Sequence, residues 1–413
     1  MSTQQQSLGE RYDPFGRDLE NPYALYAQLR HEEPITFSPV LNAYLVSRFD
    51  DLRSILSQPD LFSSKDTIAP IVTLCSQALE ELSKGYPSVP TFVNSDNPDH
   101  ARFHEPIQKA FAPGRIRALE PALRQRISEV LDGFCNDGHA EMISQFAYPL
   151  PLEFILLMLG IPKEETAQVK EWCDDWVALI VSPLSEERQV LCARSTVSLQ
   201  HYLVNIVRQR QREPQADIIT SLIETVLPGQ EPLSDAELII TIMSLVVAGH
   251  ETITRLIGNG LVLLLEEPER WQHLCAHPED IPLVIEEIIR YHGPIRGIMR
   301  TMTRAAVVGG LSLPADTKLF LIHGSANRDD ERFPDADQFQ LQRKPNHHVG
   351  FGYGVHSCTG APLARLEGRL MLEALTRRFP DLRLAPGQKL AHNPDIINYG
   401  YQRVEVVWPV NQR

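Results

Sequence analysis

The stretch Gly350-Phe351-Gly352-Tyr353-Gly354-Val355-His356-Ser357-Cys358-Thr359-Gly360 holds the residues best suited to chemistry. A cysteine acts as nucleophile or metal ligand through its thiolate, so its surroundings decide its use. Cys358 stands just ahead of a helical pattern over Pro362–Phe379. Backbone N–H groups at a helix N-terminus stabilise anions, which predicts a thiol drawn toward thiolate. The glycines at 350, 352, 354 and 360 allow tight turns and the close approach of another group.

With no second cysteine near it, such a thiolate suits a metal whose other positions a cofactor fills. Haem iron with an axial cysteine meets that description. Other readings compete. Gly352-x-Gly354 resembles the start of a dinucleotide fingerprint, but Ser357 stands where the third glycine belongs and no strand leads into it. His347, His348, His356 and Cys358 are zinc-ligand types at a spacing that matches no standard finger. A merely structural glycine turn leaves Phe351, His356 and Cys358 without a joint explanation.

A second constellation is Ala248-Gly249-His250-Glu251-Thr252, inside a long apolar pattern. An acid beside a hydroxyl suits proton delivery, and Gly249 with Thr252 predicts a local loosening of the helix ladder. The plainer alternative is a solvated polar stripe with a Glu251–Arg255 pair at i,i+4. Glu287 and Arg290, three residues apart, share one helix face and can tie down the long loop ahead of the cysteine.

The elements that must position these groups follow from periodicity. Apolar residues at helical spacing predict helices over Pro22–His31, Asp50–Ser57, Pro121–Phe134, Pro151–Leu159, Glu165–Val181, Glu186–Gln211 and Ala236–Glu266. Ser234 and Glu237 form a capping-box start for the last of these. Strand-like runs lie at Ile35–Phe37, Ala43–Val46, Ala305–Val308, Lys318–Ile322 and Val404–Trp408. Asp329–Pro345 reads as a long loop, a kind of segment that is usually functional or disordered. The fold class is therefore mainly α with minor β: one domain over 1–413, with residues 1–20 as a flexible arm.

Composition narrows the function. The 413 residues carry 39 Lys+Arg against 53 Asp+Glu, a net charge of −14, which argues against general nucleic-acid binding. The apolar run Leu238–Gly249 is interrupted by His250 and Glu251, short of the about 20 residues a spanning helix needs. The first twenty residues hold no signal-peptide pattern, so the reading is a soluble, cytoplasmic protein without a membrane partner. Six cysteines without a CxxC pair give no sign of a disulfide framework.

The pattern Phe351-x-x-Gly354-x-His356-x-Cys358-x-Gly360 resembles the haem-binding signature of the cytochrome P-450 family. The resemblance implies that fold, with a long central helix over haem b (iron protoporphyrin IX) and small sheets. It makes Cys358 the iron ligand, packs Phe351 beside it, and turns His356, Arg300, His100 and His104 toward the haem propionates. The usual arginine four residues after His100 is here His104. Ala248 and Gly249 line the oxygen side, Gly249 leaving room for O2, while Thr252 and Glu251 hydrogen-bond there and relay protons. Glu287 and Arg290 resemble the family's structural E-x-x-R pair, whose expected further arginine is replaced by Gln338 before Phe339.

The implied reaction is monooxygenation of a hydrophobic small molecule, by hydroxylation or epoxidation, in a setting such as secondary metabolism. A peroxide-driven peroxygenase and a non-catalytic haem-thiolate sensor or ligand carrier are the rivals, and Glu251-Thr252 counts against both. Pocket walls fall by analogy at Lys65–Asn94, Met243–Val247, Ile295–Met299 and Asp395–Tyr399, with Val247, Ile295, Ile298 and Ile397 as lining residues. Arg296 either meets an acidic substrate group, points to solvent or faces a propionate. Electrons come from NAD(P)H through a separate ferredoxin or flavodoxin, docked on a basic island of Arg102, Lys109, Arg343, Lys344 and Arg365.

Overall fold

The computed structural model describes residues 6–67, 73–182 and 184–410. Just over half of the chain is helical, with small sheets. The chain divides into two compact units, each assembled from separated stretches. One comprises Met1–Ser63, Glu120–Tyr148 and Thr252–Arg413; the other comprises Ser64–Leu119 and Pro149–Glu251.

The first unit holds all the strands of the described residues. Strands Ile35–Ser38 and Ala43–Val46 form an antiparallel pair, and Ala43–Val46 runs parallel to Lys318–Leu321. Ile298–Met302 and Phe62–Ser63 complete this five-stranded sheet. A parallel pairing between segments so distant in sequence carries no local signal, whereas the flanking hairpins do. Gly309 and Gly310, at φ of 53° and 85°, turn the hairpin of Ala306–Val308 and Leu311–Leu313 in the conformation that glycine tolerates. One face of the larger sheet packs on Phe49, Leu52, Ile55, Phe333 and Val349. Residues 8–12 are not a flexible arm. Ser7 and Glu10 cap a short helix reciprocally, Leu8 is buried, and Tyr12 packs with Tyr26 in a second core. Burial of those apolar groups outweighs the cost of ordering the segment.

The second unit is helical, built from Asp99–Ala110, Pro149–Met158, Thr166–Val181, Glu186–Arg212, Ile218–Glu224 and the first half of Asp235–Leu265. The expected capping box is present. Ser234 N donates to Glu237 Oε2 at 2.8 Å, and Glu237 N donates to Ser234 Oγ at 3.3 Å. Arg102 also donates to Glu237, at 3.0 Å, tying the helix Asp99–Ala110 to that start. The helix Asp235–Leu265 is long and apolar enough to cross a membrane, yet most of its most apolar window is buried inside the protein. It is α-helical throughout, so the loosening expected at Gly249 and Thr252 does not interrupt it.

Back in the first unit, the loop before the cysteine hangs on one carboxylate. Glu287 and Arg290, on the helix Ile281–His292, have fully buried side chains. Arg290 donates twice to Glu287 at 2.7 Å and also to the carbonyls of Asn327, Ala336 and Gln338. The third partner absent before Phe339 is Arg343, whose Nε donates to Glu287 Oε1 at 3.0 Å. Its remaining donors reach the carbonyls of Pro334, Asp335 and Gln338. Arg343 is thus 6% exposed and is not part of a docking surface.

Removing one partner of a buried ion pair leaves a charge uncompensated and costs about 3–5 kcal/mol. Arg343→Ala should lower the unfolding free energy of the haem-loaded protein by about that amount, read from urea midpoints, and release haem earlier in the transition. A midpoint equal to wild type would mean that Arg343 does not hold the loop.

Candidate functional site

In the first unit the cysteine loop is held by its own backbone. Cys358 N donates to Phe351 O at 2.8 Å and Gly352 N donates to Val349 O at 2.8 Å. Gly354 has φ +74°, and a Cβ there would stand 2.5 Å from the carbonyl oxygen of Leu56, so this position tolerates only glycine. Val349 N donates to the side chain of Asn327, which links the loop to the segment that Arg290 holds. Arg365, on the helix Ala361–Arg378, lies over the Phe351 ring at 4.5 Å and donates to Glu286 at 2.7 and 2.8 Å. His348 joins the same carboxylate at 3.2 Å. Desolvation pushes Glu286 up, but these partners prevail and hold it at about 2.

Cys358 is exposed and stands immediately before that helix, with the N–H groups of Gly360 and Ala361 directed at its sulfur. The expected depression of its pKa is not what the loop produces. Desolvation by the surrounding loop outweighs the two N–H donors and the Arg365 charge, and the thiol lies above its ordinary range. The two donors still suit a sulfur that becomes anionic on metal coordination, because a coordinating thiol loses its proton outright. An accessible thiol, donors placed on its sulfur and a cationic flank fit the residues to haem iron.

Arg300 lies in the central sheet, 3% exposed, with Nη1 donating to Met299 O at 2.8 Å. It depresses the neighbouring His323, which burial already holds near 4. His356 is half-buried in the short 3-10 turn Gly354–His356. The predicted pocket segments of this unit meet, since Arg296 N donates to Ile397 O at 2.7 Å and Ile295 bridges to Asn398. Ile298 is partly buried against the sheet core. Arg296 takes none of its three expected roles: it is 2% exposed, lies 4.6 Å over the Tyr399 ring and donates to the carbonyls of Asp18 and Leu19.

In the second unit His100 and His104 stack with ring centroids 4.9 Å apart on the helix Asp99–Ala110. Desolvation lowers both, and the neighbouring His104 helps bring His100 to about 4. Both are therefore neutral near pH 7 and can offer an anion N–H donors rather than charge. Along Asp235–Leu265, residues 238–246 and 253–265 are buried, while Val247, Gly249, Glu251 and Thr252 are part-exposed and Ala248 is exposed. Sequence spacing placed the acid–alcohol pair in this one accessible window. At Gly249 a Cβ would lie 2.8 Å from Ile155 Cγ1, so the missing side chain makes room for the helix Pro149–Met158. Of the pocket wall Lys65–Asn94, residues 68–72 lie outside the described residues.

Two features escaped sequence reasoning. Arg343 sits four residues beyond Phe339, and the arginine was sought before that residue instead of after it. The Glu286–Arg365–His348 cluster joins three separate segments and has no local signature.

The cytochrome P450 family profile matches residues 139–276 and 281–394. Cytochrome P450 107B1 of Saccharopolyspora erythraea is 34% identical over 378 residues, which are 90% of each chain. The 6-deoxyerythronolide B hydroxylase of the same organism is 31% identical and covers 88% of this chain and 89% of its own. Among solved structures, an intact type IV self-sufficient cytochrome P450 monooxygenase superposes with a TM-score of 0.92 at 29% identity. That match covers 98% of this chain and 53% of the longer one, so the present chain spans about half of that protein. An exposed cysteine on a glycine-turned loop, an acid–alcohol pair in the accessible window of a buried helix, and these matches lead to one assignment: the chain belongs to the cytochrome P450 family of haem-thiolate monooxygenases.

Proposed function

We propose that this chain, as a single haem domain over 1–413, binds haem b through Cys358 and hydroxylates or epoxidises a hydrophobic small molecule. The observation that carries the proposal is Cys358 at the end of the glycine-turned loop, with the Gly360 and Ala361 N–H groups on its sulfur. When bound, haem supplies the activation of O2, with the thiolate donating electron density. The chain's own residues supply the rest. Phe351 covers the cysteine loop under Arg365, and Arg300 offers a buried cation to a propionate. His356, His100 and His104 offer N–H donors to the propionates. Thr252 holds a hydrogen bond on the oxygen side, and Glu251 passes protons to it. Ala248 and Val247 border that side, while Ile295, Ile298 and Ile397 line the substrate space, an apolar wall that suits an apolar substrate. Relatives that include a hydroxylase named for 6-deoxyerythronolide B support a role in secondary metabolism. A cytoplasmic location accords with the burial of the long apolar helix inside the protein.

Members of this family draw electrons from a redox partner. Here the electrons come ultimately from NAD(P)H through a ferredoxin- or flavodoxin-like protein. Of the five cations expected to attract it, Arg343 is buried, Arg102 is bound to Glu237, and Arg365 is bound to Glu286. Lys109 and Lys344 are exposed and take over the steering role.

Three measurements test this reading. The reduced, CO-bound protein should show the red-shifted Soret band of a thiolate ligand, and Cys358→Ser should abolish it while leaving the far-ultraviolet circular dichroism close to wild type. An unaltered band in that variant overturns the ligand assignment.

Thr252→Ala should keep the CO band but lower product formed per NAD(P)H consumed by about 100-fold, the lower end of what a positioned proton-transfer group contributes. Glu251→Gln should slow turnover by a similar factor. Wild-type yield in both variants would make this stretch structural and would reopen the peroxygenase and carrier readings.

Lys109→Glu and Lys344→Glu should each slow the first electron transfer at low salt, with the difference shrinking as ionic strength rises, because screening shortens to about 8 Å at 0.15 M. Stopped-flow rates that ignore both charge reversals and salt would place docking elsewhere.

A further inference from the structure

Within the second unit, three ligand-type side chains converge that the haem chemistry does not require together. One ligand atom from each of Asp174, His250 and Glu251 lies within 4.8 Å of the other two. His250 and Glu251 are successive residues of the helix Asp235–Leu265, and successive residues on a helix point in different directions. Their side chains nevertheless approach, with His250 Nε2 standing 3.5 Å from Glu251 Oε1. Asp174 comes from another helix, Thr166–Val181.

The imidazole is oriented for coordination. His250 is 1% exposed, and its Nδ1 stands 2.7 Å from the carbonyl oxygen of Val246. A carbonyl only accepts, so Nδ1 donates to Val246 O, and this holds the ring with Nε2 turned toward the Glu251 carboxylate. A ligand histidine held by a backbone carbonyl at its other nitrogen is the arrangement that fixes tautomer and ring orientation in metal sites. Two carboxylates and an imidazole make a donor set of nitrogen and oxygen that suits zinc(II). Lys170 Nζ pairs with Asp174 Oδ2 at 2.7 Å and offsets part of the local negative charge. The Asp174 side chain is 41% exposed, which leaves it room to swing and close the remaining gap to metal–oxygen bonding distance, about 2.0–2.2 Å.

We propose that His250, Glu251 and Asp174 form a site for a divalent transition-metal ion, zinc(II) foremost, whose binding withdraws Glu251 from proton delivery. The inhibitory consequence rests on the relay role proposed for Glu251, whereas the site itself does not. Occupancy ties up the carboxylate oxygens that would otherwise accept and release protons, so zinc would slow turnover without displacing haem.

Zinc chloride titrated calorimetrically into the haem-loaded, chelator-washed protein at pH 7.5 should reveal one binding event. Asp174→Asn and His250→Gln should each weaken it by at least about 10-fold. His273→Asn with His277→Asn, which removes a histidine pair with ring centroids 4.7 Å apart outside the site, should leave it unaltered. Asp174 has no part in the proposed proton relay, and Asp174→Asn, compared with itself with and without zinc, should lose its sensitivity to zinc. Absence of the binding event in wild type, or its persistence at full strength in both single variants, overturns the site. Binding that depends on Asp174 and His250 but leaves the turnover rate unaltered overturns the inhibitory consequence. If Glu251→Gln itself turns over at the wild-type rate, the relay reading fails while the calorimetry still decides the metal site.

Discussion

The buried carboxylate of Glu287 is the constraint on which the cysteine end of the molecule depends. It receives hydrogen bonds from Arg290, Arg343, the backbone N–H of Gln340 and the side chain of Asn346. A charge taken out of water costs several kcal/mol unless its lone pairs are all engaged, and here they are engaged by groups from one helix and one long loop. The arginines then spend their other donors on carbonyls at 327, 334, 335, 336 and 338. A loop with little secondary structure of its own is thereby given fixed partners for its backbone.

That fixed loop delivers the chain to Val349, and from there the glycines carry it round to Cys358. The second clamp, Glu286 with Arg365 and His348, lies one residue earlier on the same helix. Adjacent carboxylates on Ile281–His292 thus serve opposite ends of the problem. One holds the approach to the loop, and the other holds the loop to the helix that follows it. The net effect on Cys358 is a positioned sulfur: desolvation raises its pKa, while the N–H groups of Gly360 and Ala361 and the charge of Arg365 act the other way.

The long helix meets a different constraint. It is apolar enough to pass for a membrane segment, and it stays in the protein because neighbouring residues cover most of it. Gly249 shows how close that cover is, since Ile155 occupies the space a side chain would need. The accessible positions Val247–Gly249, Glu251 and Thr252 are therefore a local exception in a packed element, and His250 between them stays buried.

Local chemistry was legible in the residues alone. The cysteine signature, the acid–alcohol pair, the Ser234–Glu237 cap and the strand Ala43–Val46 each depend on neighbours within a few positions, and the structure forms the last two as the sequence indicates. Glu287 with Arg290 was legible for the same reason. What the sequence could not settle were meetings between distant segments: Arg343 reaching Glu287, Arg296 turning to Asp18 and Leu19, Arg102 neutralised by Glu237, and Asp174 approaching His250. A charge in a sequence has no address until packing decides whether it faces water or a buried carbonyl. For that reason the motifs pointed to the family and to Cys358, while tertiary structure alone decided which arginines are scaffold and that Ile155 fills the space beside Gly249.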